Sequence, residues 1–354
     1  MRLRCVVFSA AVAATLAPVE VRPVLGTDPV SKDPDDPAVW VNPVNPASSL
    51  IVGTNKTAAP DGAVVVFDLN GKTKQTISGI DRPNNVDIEY GLRLNGRNTD
   101  IAVLTERLKQ RLRVFAISAA GLRDISADTD LSVFAGEQGP RAAPMGIALY
   151  RRPRDGAIFA IVSRKTGPLH GYLWQYRLED NGSGRVRAVK VREFGDFSGD
   201  GEIEAVAVDD ELGFVYYADE NFGIRKWSAD PDDVRASREL AVFGQEGFRG
   251  NREGIAIYHR PSGAGYIVCT DQIRGGSLYR IYPREGSPGR PHEHPLIKVV
   301  QGGADATDGL DITAHPLGAR FPSGLMIAMN SSGRNFLLYS WRDIARTGAP
   351  RLLE

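Results

Sequence analysis

Apolar residues in this chain fall in short alternating runs separated by turns. The first group is Asp36-Pro37-Ala38-Val39-Trp40-Val41, Leu50-Ile51-Val52-Gly53-Thr54 and Val64-Val65-Val66-Phe67. Later groups centre on Val86–Tyr90, Met145–Leu149, Glu204–Val208, Glu253–Ile257 and Asp308–Ile312. Each is followed by a second apolar run and a third rich in aromatic and β-branched residues, such as Tyr172-Leu173-Trp174-Gln175-Tyr176. Alternation with period two predicts strands. No long amphipathic helix is predicted. Pro37, Val86, Met145, Glu204, Glu253 and Asp308 open the first strand of each copy, at spacings of 49, 59, 59, 49 and 55 residues. A strand-and-turn unit of that size suits a propeller blade of three or four strands. The expected fold is all-β, a six-bladed β-propeller. Solenoid repeats are usually shorter, and a β-sandwich leaves the recurrence unexplained.

Rotational repetition gathers equivalent positions of successive blades around one channel mouth. Glu204, Glu253 and Asp308 share a column in three successive blades, and Asp35 and Asp36 precede the matching strand of the first. Crowded carboxylates repel one another unless a cation sits among them. Hard oxygen donors at this density select Ca²⁺, and Mg²⁺ less well. Asp219-Glu220-Asn221 and Asp271-Gln272 follow the second strands of blades four and five and can add ligands. At the same place in the first three blades stand Lys56, Arg107, and Arg164-Lys165. One half of the mouth is therefore expected to be acidic and the other basic, which suits a polyanion held partly by metal.

Composition narrows this further. Lys plus Arg and Asp plus Glu are both 43, so the chain lacks the basic excess of a general nucleic-acid binder. Arg2 and Arg4, the apolar stretch Cys5 to Leu16, and Thr15-Leu16-Ala17 read as a signal peptide over residues 1–17. The apolar stretch is too short to span a bilayer. The expectation is an exported protein, periplasmic or extracellular, with no membrane span and with one propeller domain over residues 28–354. Cleavage leaves Cys269 alone in an apolar run, a buried inert thiol with no disulfide partner. Bound metal is then one available staple.

These residues carry a resemblance. Asp35-Asp36-Pro37-Ala38-Val39-Trp40 resembles the Asp-Asp-Pro-Ala-aliphatic-Trp motif of the β-propeller phytases. Asn84-Asn85-Val86-Asp87-Ile88 resembles their second motif. Asp209-Asp210-Glu211, Asp219-Glu220 and Lys226-Trp227 look like their fourth-blade segment. Glu253-Gly254, Thr307-Asp308-Gly309-Leu310-Asp311 and Phe321-Pro322-Ser323-Gly324 continue in order, so the likeness spans about residues 30 to 345. It implies a calcium-dependent, 3-phytase-like phosphomonoesterase acting on phytate, taken as calcium phytate, by metal-activated water. It further implies that Asp36, Glu204, Glu220, Glu253, Gln272 and Asp308 carry several calcium ions. Glu204, Glu220, Glu253 and Asp308 would form the catalytic centre, with Lys56, Arg107 and Lys165 on phosphate oxygens. A monomer is expected.

The chain departs from the family pattern at four places. Met145 stands where the family has Tyr, Thr166 where it has Glu, and Asn251 where it has Asp; Met329-Asn330 replaces a common Gln-Asp. Fewer negative charges imply a weaker calcium site. They also favour an alternative, a non-catalytic calcium-dependent propeller that captures inositol phosphates or other polyanions. A lactonase-type propeller is the third reading; Lys56, Arg107 and Lys165 argue against it.

Overall fold

The computed structural model describes residues 16–127, 129–261 and 263–354. Most of the expected signal peptide lies outside the described residues. Six small antiparallel sheets follow one another along the chain. Blade one holds Pro34–Trp40, Leu50–Asn55, Ala63–Asp68 and Thr73–Ser78; blade two begins at Pro83–Leu94 and blade three at Pro144–Arg151. Blades four, five and six open with Val206–Asp209, Arg252–His259 and Leu310–Thr313. These first strands pack side by side in a closed ring, blade six returning onto blade one. The expected six-bladed propeller is the observed fold.

Five blades have four strands and blade five has five, where the apolar pattern marked three runs per blade. An outer strand such as Thr73–Ser78 is polar and largely exposed, so it leaves little apolar signal. Blade six takes its outermost strand from the start of the chain: Leu25–Gly26 pairs with Leu337–Leu338. Val19–Glu20 adds a parallel fifth strand to blade five against Val300–Gln301. The domain boundary expected at residue 28 is thus too late. Two-residue strands are too short to produce an alternation. The one α-helix among the described residues, Trp341–Arg346, stacks Trp341 on Tyr258 at 3.8 Å.

Strand alternation builds the core between blades. Ile101 and Val103 pack with Ile147, Leu149 and Val162 of blade three, while Ala102 and Leu104 pack with Val52, Val64 and Val66 of blade one. Six such apolar clusters fill the six seams. Carboxylates of the inner strands bridge the same seams. Asp311 accepts Val39 N–H at 2.7 Å, Asp36 accepts Val86 N–H at 2.9 Å, and Asp87 accepts Leu149 N–H at 2.6 Å.

The first strands of blades one, two, three and five all shift register at one place. The breaks lie between Pro34 and Pro37, Pro83 and Val86, Pro144 and Ile147, and Arg252 and Ile255. A bulge here frees residues from the ladder and re-aims them. Asp35, Asn84, Met145 and Glu253 occupy the same bulge position. Pairing of Val206 with Tyr217 and Leu310 with Ala328 puts Glu204 and Asp308 in that position in blades four and six. The true column is therefore Asp35, Asn84, Met145, Glu204, Glu253, Asp308. Counting from the apolar strand starts sets Pro37 and Val86 opposite Met145 and Glu204, two residues out of register.

Candidate functional site

Three rings of equivalent positions surround one mouth of the channel. The first is the bulge column just described. A second follows strand two of each blade and holds Lys56, Arg107, Lys165, Glu220 and Gln272. A third lies two residues before the bulge and holds Asp33, Arg82, Ala143, Glu202 and Asn251. Backbone bonds join the second ring to the third in five blades: Lys56 N–H donates to Asp33 O, Arg107 to Arg82, Lys165 to Ala143, Glu220 to Glu202 and Gln272 to Asn251.

Close approach between neighbouring blades depends on small residues beside the bulge. A Cβ on Gly146 would fall 1.7 Å from the carbonyl oxygen of Glu204, and one on Gly309 would fall 1.9 Å from Asp36 Oδ1. Only glycine admits the next blade's acid at these points.

Lys56 is the hub of the acids. Its ammonium forms an ion pair with Asp35 and lies 3.2 Å from Asp308 Oδ2. Gln272 Nε2 donates to Asp308 Oδ1, and Asn84 Nδ2 donates to Glu204 Oε1 at 2.6 Å. Asn251 Nδ2 reaches Glu253 Oε1 at 3.3 Å, and Glu220 Oε2 accepts Glu202 N–H at 3.0 Å. Lys165 forms an ion pair with Glu202.

The charges feel one another. Burial pushes Glu204 up to about 8, and Asp35 adds to this against the pull of Lys56. Burial takes Glu253 to about 8, reinforced by Glu220 and Asp308. Glu220 rises to about 7 through burial and the Glu202 charge. Burial also lifts Asp308 well above the usual carboxylate range, in spite of Lys56. Burial alone would lower the Lys56 ammonium; Asp35, Glu204 and Asp308 outweigh it and hold it above its ordinary value. Glu204, Glu253 and Asp308 thus converge at one mouth.

The phytase family profile matches residues 2–347. A 3-phytase of Bacillus subtilis is 31% identical over 338 residues, covering 90% of this chain and 83% of the relative. The chain belongs to the phytase family. Two solved structures share the fold alone. One, a candidate 6-phosphogluconolactonase of Bacteroides uniformis, has a TM-score of 0.54 at 15% identity, over 90% of this chain and 82% of the other. The other, a candidate 6-phosphogluconolactonase of Bacteroides fragilis, scores 0.51 at 12% identity over the same shares.

Within this phytase-family mouth, most of the expected residues stand together: Lys56, Lys165, Glu204, Glu220, Glu253, Gln272 and Asp308. Arg107 stands beside them and feels Glu204, Glu202 and Asp35. Asp36 sits one level deeper. Its carboxylate is held by Val86 N–H against Gly309, in a channel cavity of about 320 Å³ that also contains Asp87 and Asp311. Asp35 takes the place beside Lys56. The basic and acidic halves are not separate, since Lys56 and Lys165 each contact carboxylates. Sequence reasoning missed Glu202, Asn84 and Arg82. The repeat itself could have found them, two residues before or one blade across from residues already named.

The candidate metal ligands at this mouth are carboxylate and amide oxygens, which suits calcium. Asp35 Oδ2, Glu202 Oε2, Asn84 Oδ1 and Asn85 Oδ1 are buried without a hydrogen-bond donor, while Asp35 Oδ1 faces the Lys56 ammonium. Buried acceptors without donors cost free energy that a cation would recover. Among the described residues no three His, Cys, Asp or Glu side chains are gathered closely enough to hold a metal ion by themselves. At Met145 the side chain is buried, and its carbonyl accepts Thr105 Oγ1–H at 2.7 Å, so that position offers the mouth no side-chain oxygen. Cys269 is buried, and burial pushes its thiol up to about 12, as expected of an inert thiol.

Proposed function

We propose that this phytase-family hydrolase removes phosphate from phytate at the channel mouth with the help of calcium. The observation that carries the reading is the convergence of Glu204, Glu253, Glu220 and Asp308 beside Lys56. The buried acceptors named above support a cation there, held by Glu204, Glu220, Glu253 and Asp308 with Gln272 and Asp35. Asp36 would serve such a site from the channel side. Calcium bound there would neutralise phosphate charge and acidify an attacking water.

The chain's own groups supply the rest. Lys56, Arg107 and Lys165 hold phosphate oxygens and orient the ester. Asn84 fixes Glu204 Oε1. Burial brings Glu204, Glu253 and Glu220 into a range where a carboxylate exchanges a proton near neutral pH. No covalent nucleophile is required.

The chain acts on a small polyanion. No helix among the described residues is long and apolar enough to cross a membrane. Export and a monomeric state complete the reading.

The deciding experiment is phosphate release from phytate by the full chain, with calcium and with chelator. Release that stops with chelator and returns with calcium is expected. Undiminished release under chelation overturns the calcium role; binding of phytate without release favours the polyanion-capturing propeller.

A further inference from the structure

Blade two differs from every other blade at this mouth. Where blade four places Glu202 and Glu220, blade two places Arg82 and Arg107. The two arginines are joined directly, Arg107 N–H donating to Arg82 O at 3.1 Å. Arg82 N–H in turn donates to Thr57 O at 3.0 Å, next to Lys56. Arg82 is therefore tied by its backbone to both neighbouring cation positions.

Its conformation is unusual. Arg82 has φ of 62°, in the left-handed region that a residue with a Cβ enters only at a steric cost. Its N–H also reaches Ile80 O at 3.1 Å, and these three backbone contacts hold it there.

Neither guanidinium has an acid of its own. Among the described residues no ion pair or side-chain hydrogen bond involves Arg82 or Arg107. Nearby carboxylates are committed elsewhere: Glu106 takes Arg111 at 2.6 Å and Arg113 at 3.5 Å, and Asp81 takes Lys109 at 3.6 Å. Asp33 feels the Arg82 charge without an ion pair. Arg82 Nε is buried and has no acceptor. Arg107 is half-buried, and burial together with the Arg82 charge holds its guanidinium below the ordinary range. A surface arginine would turn to water; a buried N–H without a partner cannot, and the pair also repels itself.

We propose that Arg82 is a phosphate-binding residue, and that Arg82 and Arg107 together clasp one phosphate oxyanion of the substrate at the blade-two rim. Guanidinium forks match phosphate oxygens in a way an ammonium does not. One doubly charged anion would satisfy Arg82 Nε and relieve the repulsion between the arginines. The proposal rests on the reading of the mouth as a phosphate-ester site and adds a residue to it.

The test measures inorganic phosphate binding by calorimetry on the full chain, for wild type, Arg82→Ala and Arg82→Lys. Steady-state phytate kinetics and the calcium-induced thermal shift follow in parallel. Arg82→Ala should weaken phosphate binding about tenfold or more, the usual worth of a charge-assisted bond. It should raise KM more than it lowers kcat and leave the calcium shift as in wild type. Arg82→Lys should recover only part of the affinity. If Arg82→Ala binds phosphate as wild type does, the proposal is wrong. If it loses the calcium shift along with phosphate affinity, Arg82 is only a support of the mouth. Should Arg82→Ala not fold, Arg82→Lys decides: full wild-type affinity would overturn the role of the fork. Wild-type failure to release phosphate from phytate would sink the functional reading, while the calorimetry would still judge Arg82.

Discussion

Lys56 of blade one and Asp308 of blade six lie 3.2 Å apart although 252 residues separate them in sequence. Ring closure brings them together, and Asp35 completes the contact. Replacing Lys56 by Met should remove a phosphate contact and the positive charge among Asp35, Glu204 and Asp308. Phytate turnover should fall about 10²–10³-fold, the scale of losing one charge-stabilising donor. Initial-rate assays at saturating calcium would check this.

The pH dependence of the metal-free protein has a definite sign. Burial raises Glu204, Glu253 and Glu220 to between about 7 and 8, above their unfolded values. The folded state then holds more protons than the unfolded state. Stability should be fullest below about pH 4.5, the unfolded glutamate range, and should decline as pH rises through 8. Added calcium should reverse the decline by binding the folded form alone. Melting temperatures in chelator and in calcium at pH 5 and pH 9 would show it. A chelated protein that is more stable at pH 9 than at pH 5 would contradict this account.

The glycine at position 146 should not tolerate alanine. The new Cβ meets the Glu204 backbone carbonyl at 1.7 Å, so the strand of blade four must retreat. Overpacking of this kind costs about 1–3 kcal/mol. Gly146→Ala should lower denaturant stability by that amount. It should also reduce activity through displacement of Glu204.

The Asp311 carboxylate accepts both Val39 N–H at 2.7 Å and Ile312 N–H at 2.6 Å, tying blade six to blade one. Asp311→Ala should destabilise the chain by about 1–3 kcal/mol, since two buried donors lose their partner. Asp311→Asn keeps one acceptor and should cost less. Equilibrium unfolding of the two variants separates these outcomes.

Much of this molecule could be read from its sequence, for a physical reason. Inner strands such as Ile101–Leu104 are buried on both faces by neighbouring blades, so they stand out as apolar runs. Outer strands such as Thr73–Ser78 face water and do not. Glu204, Glu253 and Asp308 were legible because the repeat kept them in register. The choice between Asp35 and Asp36 was not. It depends on a bulge, and a register break of two residues leaves no mark in hydrophobic alternation. The repeat gives the position of Arg82, but its significance comes from missing partners, and only coordinates show which acids are already taken.

The strand Leu25–Gly26 finds its neighbour at Leu337–Leu338, more than three hundred residues later. During synthesis the leading segment must wait, with its edge unsatisfied, until almost the whole polypeptide has emerged. Chains cut short before residue 335 would lack that partner and present an open flank for pairing with other molecules. Fragments of this length should therefore clump rather than function.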